Sequence, residues 1–139
     1  GTRFVATSEC LAHPRYKQAL VDATETGTVV IERSIGRPGR VLRGPWAGHI
    51  LEAEARGAGA EELLPLISGQ VYRRAARDGE LENGYVWSGQ VAGLIHDLPP
   101  AGELIRRMVA GADEIIAGLA AGSFTTRSPG RQERDKRAE

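Results

Sequence analysis

The chain has 139 residues, and its 18 basic and 18 acidic side chains give a formal net charge of zero at pH 7. A balanced charge does not indicate a nucleic-acid or membrane-surface partner, and no apolar run is long enough to span a bilayer. The single cysteine, Cys10, has no disulfide partner within the chain, which favours a reducing cytoplasm. The chain begins with Gly1 rather than Met, which is compatible with a start codon further upstream.

Gly1 and Thr2 form a Gly-Thr turn that leads directly into polar and helical sequence. Glycine allows an anion to approach the backbone closely, and backbone amides beside a helix start can hold a phosphate. The dipeptide alone is a weak signal for a phosphate site, because most Gly-Thr pairs are ordinary turns.

The next elements are a helix and a strand. Pro14 predicts the first turn of a helix that ends near Gly27. Residues 28–31 are rich in β-branched side chains and form the only predicted strand. Residues 34–45 are predicted as a loop, since Gly and Pro recur in them. An anion could bind the arginines of this loop, but a solvated loop is the preferred interpretation for Arg37, Arg40 and Arg43.

Residues 46–55 and 60–67 are predicted as two short helices. His49 on the first is expected to pack or to lie on the surface, because no second ligand stands at metal-binding spacing with it, and no metal site is predicted. The tetrapeptide Ser-Gly-Gln-Val occurs at Ser68 and again at Ser88. We interpret it as two helix starts with the serines as caps, the first opening a basic helix.

A long amphipathic helix is predicted after Pro99 and Pro100. Its apolar residues recur three and four positions apart, at Leu104, Ile105, Met108, Val109, Ala112, Ile115, Ile116 and Leu119. Such a wide apolar stripe needs a large partner surface. Residues 123–139 have no apolar period and are predicted to be a disordered tail. Together these elements indicate the C-terminal part of a larger α/β protein.

Several motifs, in order along the chain, resemble the C-terminal region of the nitronate monooxygenase family. They are Gly1-Thr2-Arg3-Phe4-Val5-Ala6-Thr7, His13-Pro14-Arg15-Tyr16-Lys17, Gly36-Arg37-Pro38 and Trp87-Ser88-Gly89-Gln90-Val91-Ala92-Gly93. The resemblance implies an FMN-binding (β/α)8 TIM barrel with a lid insertion. The chain, itself mostly helical, would supply the end of the barrel (1–25), the lid (26–84) and the return to the barrel with the terminal helix (85–122).

The resemblance also implies a set of cofactor contacts. A Gly-Thr pair closes the FMN phosphate site in this family, in keeping with the phosphate sites of such barrels. Gly1 and Thr2 would therefore bind the phosphate, and Ser88, Gly89 and Gln90 would lie near the flavin. The family's catalytic histidine lies upstream of this pair, so no catalytic residue is expected here and the chain alone would be inactive. That role is not assigned to His13, His49 or His96.

The activity implied by the resemblance is the oxidation of an alkyl nitronate by O₂. The expected partners are this substrate and the missing N-terminal half of the barrel, with no nucleic acid and no membrane. One alternative is an FMN-dependent enoyl-acyl-carrier-protein reductase, which upstream sequence would distinguish. Another is a non-enzymatic helical interaction module whose apolar stripe binds a partner chain, which the behaviour of the isolated chain would test.

Overall fold

The computed structural model describes residues 1–122. Residues 1–104 form one compact unit, and a second unit begins at Ile105. The predicted predominance of helix is confirmed. The helices are α1 (Thr2–Val5), α2 (Pro14–Val21), α3 (Pro45–Ala55), α4 (Ala60–Leu66), α5 (Gly69–Ala76) and α6 (Ala101–Ala120), joined by strands β1 (Thr28–Ile31) and β2 (Gly39–Leu42) and by 3₁₀ turns at Leu81–Asn83 and Gln90–Leu94.

Helix α2 begins where the sequence predicts and ends earlier. Pro14 is its first residue, and His13 Nδ1 accepts a 3.1 Å hydrogen bond from the amide two residues further on. This bond satisfies a donor that has no acceptor within the helix. The predicted end near Gly27 is wrong, because α2 ends at Val21. Gly27 N–H instead donates to the carbonyl of Thr24 at 2.9 Å, and this turn leads the chain into β1.

The segment predicted as a loop contains a second strand, so the prediction of a lone strand is wrong. β2 pairs with β1 in an antiparallel sheet, with Thr28 opposite Leu42 and Ile31 opposite Gly39. Local composition did not reveal β2 because it is only four residues long and follows a Gly- and Pro-containing connection. The stability of so short a strand comes from its partner and its packing rather than from its own propensity.

The backbone before Gly89 lies alongside β2. Ser88 N–H donates to the carbonyl of Arg40 at 3.0 Å, and Val41 forms an antiparallel bridge with Trp87. The hairpin therefore holds in position the segment in which the second group of flavin contacts is expected.

The two copies of Ser-Gly-Gln-Val have different structures. Ser68 Oγ accepts a 3.4 Å hydrogen bond from Val71 N–H and caps α5, as predicted. The prediction of Ser88 as a cap is wrong, because Ser88 Oγ donates to the carbonyl of Gly89 at 3.2 Å. Its backbone N–H is bonded to β2, and the second copy leads into a 3₁₀ turn rather than an α-helix.

Two groups of buried side chains form the core of residues 1–104. The first joins α2, α5 and the segments around 86 and 92–95, and comprises Ala6, Tyr16, Leu20, Leu42, Ala75, Ala76, Val86, Ala92 and Ile95. The second joins the sheet to α3, α4 and α5, and comprises Ile31, Val41, Ala47, Ile50, Ala53, Ala58, Leu63, Val71 and Tyr85. The half-buried side chain of Tyr72 packs against both groups.

Helix α6 forms as predicted, immediately after the two prolines. The carboxylate of Glu9 accepts hydrogen bonds of 2.9 and 3.0 Å from Ala101 N–H, and this backbone contact holds the pKa of Glu9 below its usual range. Leu104 is buried. The large side chains of the predicted apolar stripe beyond it, which we call the α6 stripe, are 47–66% exposed: Ile105, Met108, Val109, Ile115, Ile116 and Leu119. The predicted disordered tail, residues 123–139, lies outside the described residues.

Candidate functional site

A hydrogen bond joins the two segments that were expected to contact the flavin. The backbone N–H of Gly89 donates to Thr2 Oγ1 at 2.8 Å across 87 positions of sequence. Thr2 is the first residue of α1, and Gly1 accepts hydrogen bonds from Phe4 and Val5 at 2.9 and 3.1 Å, which closes the turn. A hydroxyl has one donor and two acceptor positions, so Thr2 keeps its O–H for another partner.

These two segments form the wall of an open cleft of about 320 Å³, which we call the Thr2 cleft. Four of the five predicted cofactor residues line it, namely Gly1, Thr2, Ser88 and Gly89. The remaining lining residues are Val5, Tyr16, Arg40, Tyr72 and Trp87. Small-molecule sites measure about 300–1,000 Å³, so a cleft of this size suits one part of a large cofactor rather than the whole of it.

Arg40 gives the Thr2 cleft a positive charge. Its side chain lies on β2, where Nη1 donates to Thr28 Oγ1 at 3.1 Å. A guanidinium has five N–H donors, so this single bond orients Arg40 and leaves most of its donors available. The interpretation of all three loop arginines as solvated is therefore wrong for Arg40, which is half-buried, whereas Arg37 and Arg43 are exposed.

Trp87 supplies the aromatic side of the cleft. Its indole ring lies so close to Gly39 that a β-carbon there would be 2.2 Å from Cζ3. Its ring also meets Tyr85 edge to face, with centroids 5.3 Å apart. Trp87 nevertheless remains 40% exposed, so part of an ordered aromatic surface faces the solvent.

The buried tyrosines are structural groups. Tyr16 O–H donates to the carbonyl of Trp87, and burial raises the pKa of Tyr16 far above its ordinary value. Tyr85 O–H donates to the carbonyl of Ile67 at 2.9 Å, and burial raises the pKa of Tyr85 to about 12. Both phenols therefore stay protonated near neutral pH and act as hydrogen-bond donors to the backbone.

Other predicted positions lie apart from the cleft. Gln90 is exposed and does not line it. His13 caps α2, His49 is exposed with its ring 5.9 Å from that of Trp46, and His96 is exposed. Among residues 1–122, no group of three or more His, Cys, Asp or Glu side chains is arranged to hold a metal ion. No helix in the same range is both long and apolar enough to cross a membrane.

Sequence reasoning missed the roles of Arg40, Tyr72 and Trp87 in the cleft. Arg40 was noted among the loop arginines and Trp87 within the Trp-Ser-Gly-Gln motif, but neither was assigned to the site. The apolar pair Val41-Leu42, directly after Gly39-Arg40, would have been the signal for a strand. Tyr72 gave no local signal, because its contribution depends on how α5 packs.

The chain is similar in sequence to a protein family and to curated proteins. The sequence model of the family described as nitronate monooxygenase matches residues 1–111. A Mycobacterium tuberculosis protein named (3aS,4S,5R,7aS)-5-hydroxy-7a-methyl-1-oxo-octahydro-1H-indene-4-carboxyl-CoA dehydrogenase is 28% identical, and the match covers 78% of this chain and 41% of that protein. A "Probable nitronate monooxygenase" of Staphylococcus saprophyticus is also 28% identical, over 84% of this chain and 32% of that protein.

The fold is similar to part of a solved structure, FabK from Thermotoga maritima. The TM-score is 0.77 and the identity is 39%, over 87% of this chain and 38% of FabK. A mutant of that FabK gives a TM-score of 0.69 at 36% identity, over 87% of this chain and 35% of the mutant. The chain thus spans well under half the length of these relatives. Because the family model matches residues 1–111 of 139, the chain belongs to the nitronate monooxygenase family.

Proposed function

We propose that this chain is the C-terminal part of an FMN-dependent oxidoreductase with a (β/α)8 barrel. The observation that carries the proposal is the 2.8 Å hydrogen bond between Gly89 N–H and Thr2 Oγ1. It joins the two segments expected to contact the flavin, and it does so beside a cationic side chain, Arg40. Family membership and the likeness to FabK support the same class of enzyme.

The residues of the Thr2 cleft fit the phosphate end of FMN. The Thr2 hydroxyl and the Arg40 guanidinium are donors suited to phosphate oxygens. Gly1 adds no side chain that would hinder the approach of an anion, since an added β-carbon there would meet nothing within 4 Å. The electron transfer itself would be supplied by FMN.

This chain's own part in the reaction would be to bind, orient and shield. Thr2 and Arg40 would fix the phosphate, and the bond from Gly89 would hold Thr2 in the orientation that this requires. Trp87 would cover one side of the cleft and exclude water from it. The base that handles the substrate's proton is proposed to lie upstream, so the chain alone would be inactive.

The first candidate reaction is the oxidation of an alkyl nitronate by O₂. It is supported by the family match over residues 1–111 and by the likeness to the "Probable nitronate monooxygenase". The segments 1–25, 26–84 and 85–122 would then be the barrel end, the lid and the return to the barrel. The missing N-terminal half would be the partner of the exposed α6 stripe, and the enzyme would be cytoplasmic.

A second candidate is oxidation or reduction of an acyl thioester. FMN-dependent enoyl-acyl-carrier-protein reduction is comparably supported, through the 39% identity to FabK. The curated relative whose name contains a carboxyl-CoA group supports a thioester as well. A non-enzymatic interaction module has no comparable support, although it remains the outcome if no flavin binds.

The test uses the complete protein that contains this chain. Its flavin content is measured by absorbance after purification, and its activity is measured with an alkyl nitronate and O₂, and separately with an enoyl thioester and NAD(P)H. We expect bound FMN and turnover in one of the two assays. A correctly folded protein that takes up no FMN when it is supplied would overturn the proposal.

A further inference from the structure

Helix α1, which carries Thr2, is held by bonds to a distant segment. It has four residues, none of them buried, and no side chain caps its first turn. So short a helix is not stable on its own. The residue after Thr2, Arg3, joins it to a position 94 residues away. Arg3 Nη1 donates to the carbonyl of Asp97 at 2.9 Å, and Nη2 donates to the carboxylate of the same residue.

Arg3 also bonds to the end of its own helix. The same Nη1 donates to the carbonyl of Ala6 at 3.1 Å, and Ala6 is fully buried in the first core group. A cation suits this place, because the carbonyls at the end of a helix have no donors within it. The planar fork of donors on a guanidinium fixes the direction of its bonds, so Arg3 ties the end of α1 to Asp97 in one geometry.

Two further contacts join the same two segments beside the Arg3–Asp97 pair. Ser8 N–H donates to the carbonyl of Pro99 at 3.1 Å, and the carboxylate of Glu9 accepts from the first amide of α6. Residues 3–9 are thus bonded to residues 97–101 at three places. We call this set of contacts the α1 anchor. It lies within the compact unit of residues 1–104.

Arg3 belongs to the α1 anchor and not to the Thr2 cleft. It is adjacent to Thr2 in sequence but does not line the cleft. The side chains of Arg3 and Asp97 are 17% and 46% exposed, whereas those of the comparable pair Arg15 and Glu82 are 54% and 59% exposed. Charges that are partly shielded from solvent are screened less by salt, so the Arg3–Asp97 pair is the better suited to fix a helix.

We propose that Arg3, through Asp97, is a positioning residue for the FMN phosphate. The inference rests on the proposed FMN-dependent function and adds a residue that acts on the same site. The bond from Gly89 holds the Thr2 hydroxyl on one side, and the α1 anchor holds the backbone of the next residue. Without the anchor, the hydroxyl would have more freedom, and ordering it on binding would cost affinity. Because coupling between two sites is reciprocal, bound FMN should in turn stabilise residues 97–104.

The first experiment measures the dissociation constant of FMN for the complete protein by flavin fluorescence. Arg3→Gln removes the guanidinium and its three hydrogen bonds. Asp97→Asn removes only the charge of the partner and remains informative if the first variant does not fold. We expect the constant to rise about five-fold in Arg3→Gln and by a smaller factor in Asp97→Asn. Unchanged affinity in both variants would overturn the positioning role.

The matched control for these variants is Arg15→Gln. Arg15 also bonds to a distant carboxylate and a distant carbonyl, those of Glu82 at 2.7 Å and Gly79 at 2.8 Å, and it does not line the Thr2 cleft. FMN affinity should be unchanged in this variant. A loss as large as that in Arg3→Gln would show that any lost arginine contact weakens FMN binding, and would overturn the specific role of Arg3.

A double-mutant cycle separates positioning from a general loss of stability. If Arg3 acts through the Thr2 hydroxyl, Arg3→Gln should have little further effect on FMN affinity in a protein that already carries Thr2→Val. The full effect of Arg3→Gln in that background would overturn the assignment, because the two residues would then act independently.

The second experiment measures hydrogen exchange of backbone amides with and without saturating FMN. We expect FMN to slow exchange in residues 97–104 more than in α3, which has no contact in the α1 anchor, and Arg3→Gln to abolish this excess. Equal slowing in both segments would reflect only the stabilisation that any bound ligand gives and would overturn the coupling. A parent protein that binds no FMN would overturn the proposed function as well, whereas FMN binding without coupling would overturn this inference alone.

Discussion

The indole ring of Trp87 covers Gly39 so closely that no side chain fits between them, since a β-carbon on Gly39 would be 2.2 Å from Cζ3 and 2.8 Å from Cη2. Gly39 begins β2, and Trp87 belongs to the segment that leads to Gly89. The hairpin and the Thr2 cleft therefore depend on each other. A substitution on β2 should therefore alter the position of Trp87 in the Thr2 cleft.

Gly39→Ala should displace the Trp87 ring. Overpacking of this kind costs about 1–3 kcal/mol of stability. Because part of the ring is exposed, we expect the ring to move and the strand to stay in place. We expect a lower unfolding temperature and an altered tryptophan fluorescence spectrum. Gly48→Ala is the matched control, because nothing lies within 4 Å of an added β-carbon there and alanine is favoured inside a helix. An unchanged spectrum in Gly39→Ala would contradict the contact.

Thr2→Val should weaken FMN binding in the complete protein. The substitution removes the acceptor for Gly89 N–H and the hydroxyl proposed to contact the phosphate, and a hydrogen bond to a charged group contributes about 1.5–3 kcal/mol. The dissociation constant, followed by flavin fluorescence, should rise by at least about ten-fold. Thr2→Ser keeps the hydroxyl and should bind nearly as well as the parent. Equal affinity in all three proteins would remove Thr2 from the phosphate site.

Glu32 should make the protein less stable as pH rises. It is 3% exposed, and burial raises its pKa, while the charge of Arg37 opposes the shift and that of Glu54 adds to it. Because the pKa of Glu32 is higher in the folded state, its contribution to the free energy of unfolding is complete below its unfolded-state pKa, about 4.3. That contribution is lost as the pH rises through the folded-state pKa. Glu32→Gln should therefore stabilise the protein at pH 7 but not at acidic pH.

The measurement for Glu32 is the unfolding temperature of parent and variant at neutral and acidic pH. Glu82→Gln serves as a control whose effect on stability should depend on pH in the opposite direction. Hydrogen bonds from its own backbone and from Arg15 hold the pKa of the exposed Glu82 below its usual value, so its small contribution is present at pH 7 and lost in acid. A gain for Glu32→Gln that is the same at both pH values would show that charge is not its cause.

Ile116→Asp should reduce the yield of the complete soluble protein severely. Ile116 is 64% exposed in this chain, and the proposal buries it against the N-terminal half of the barrel, where an unpaired charge is costly. Ala110→Asp is the control, because position 110 lies on the opposite side of α6 by helical spacing. The comparison is the fraction of each protein that remains soluble after expression. Equal soluble fractions for the two variants would mean that the α6 stripe is not an interface.

The sequence alone determined the features that arise from neighbours along the chain. The proline that begins α2, the Ser68 cap and the three- and four-residue apolar period of α6 each depend on contacts within a few positions. The motif order from Gly1 to about Leu119 also indicated the family that the match over residues 1–111 confirms. Local interactions and motif order can be predicted from sequence because they do not depend on contacts between distant segments.

Only the tertiary structure decided which distant residues meet. β2 exists because β1 and the segment around Trp87 pair with it, and the amide of Ser88 is bonded to that strand. The Thr2 cleft needs Gly89 from 87 positions away, Arg40 from the hairpin and Tyr72 from α5. Such contacts depend on long-range packing, which the local pattern around each residue does not encode.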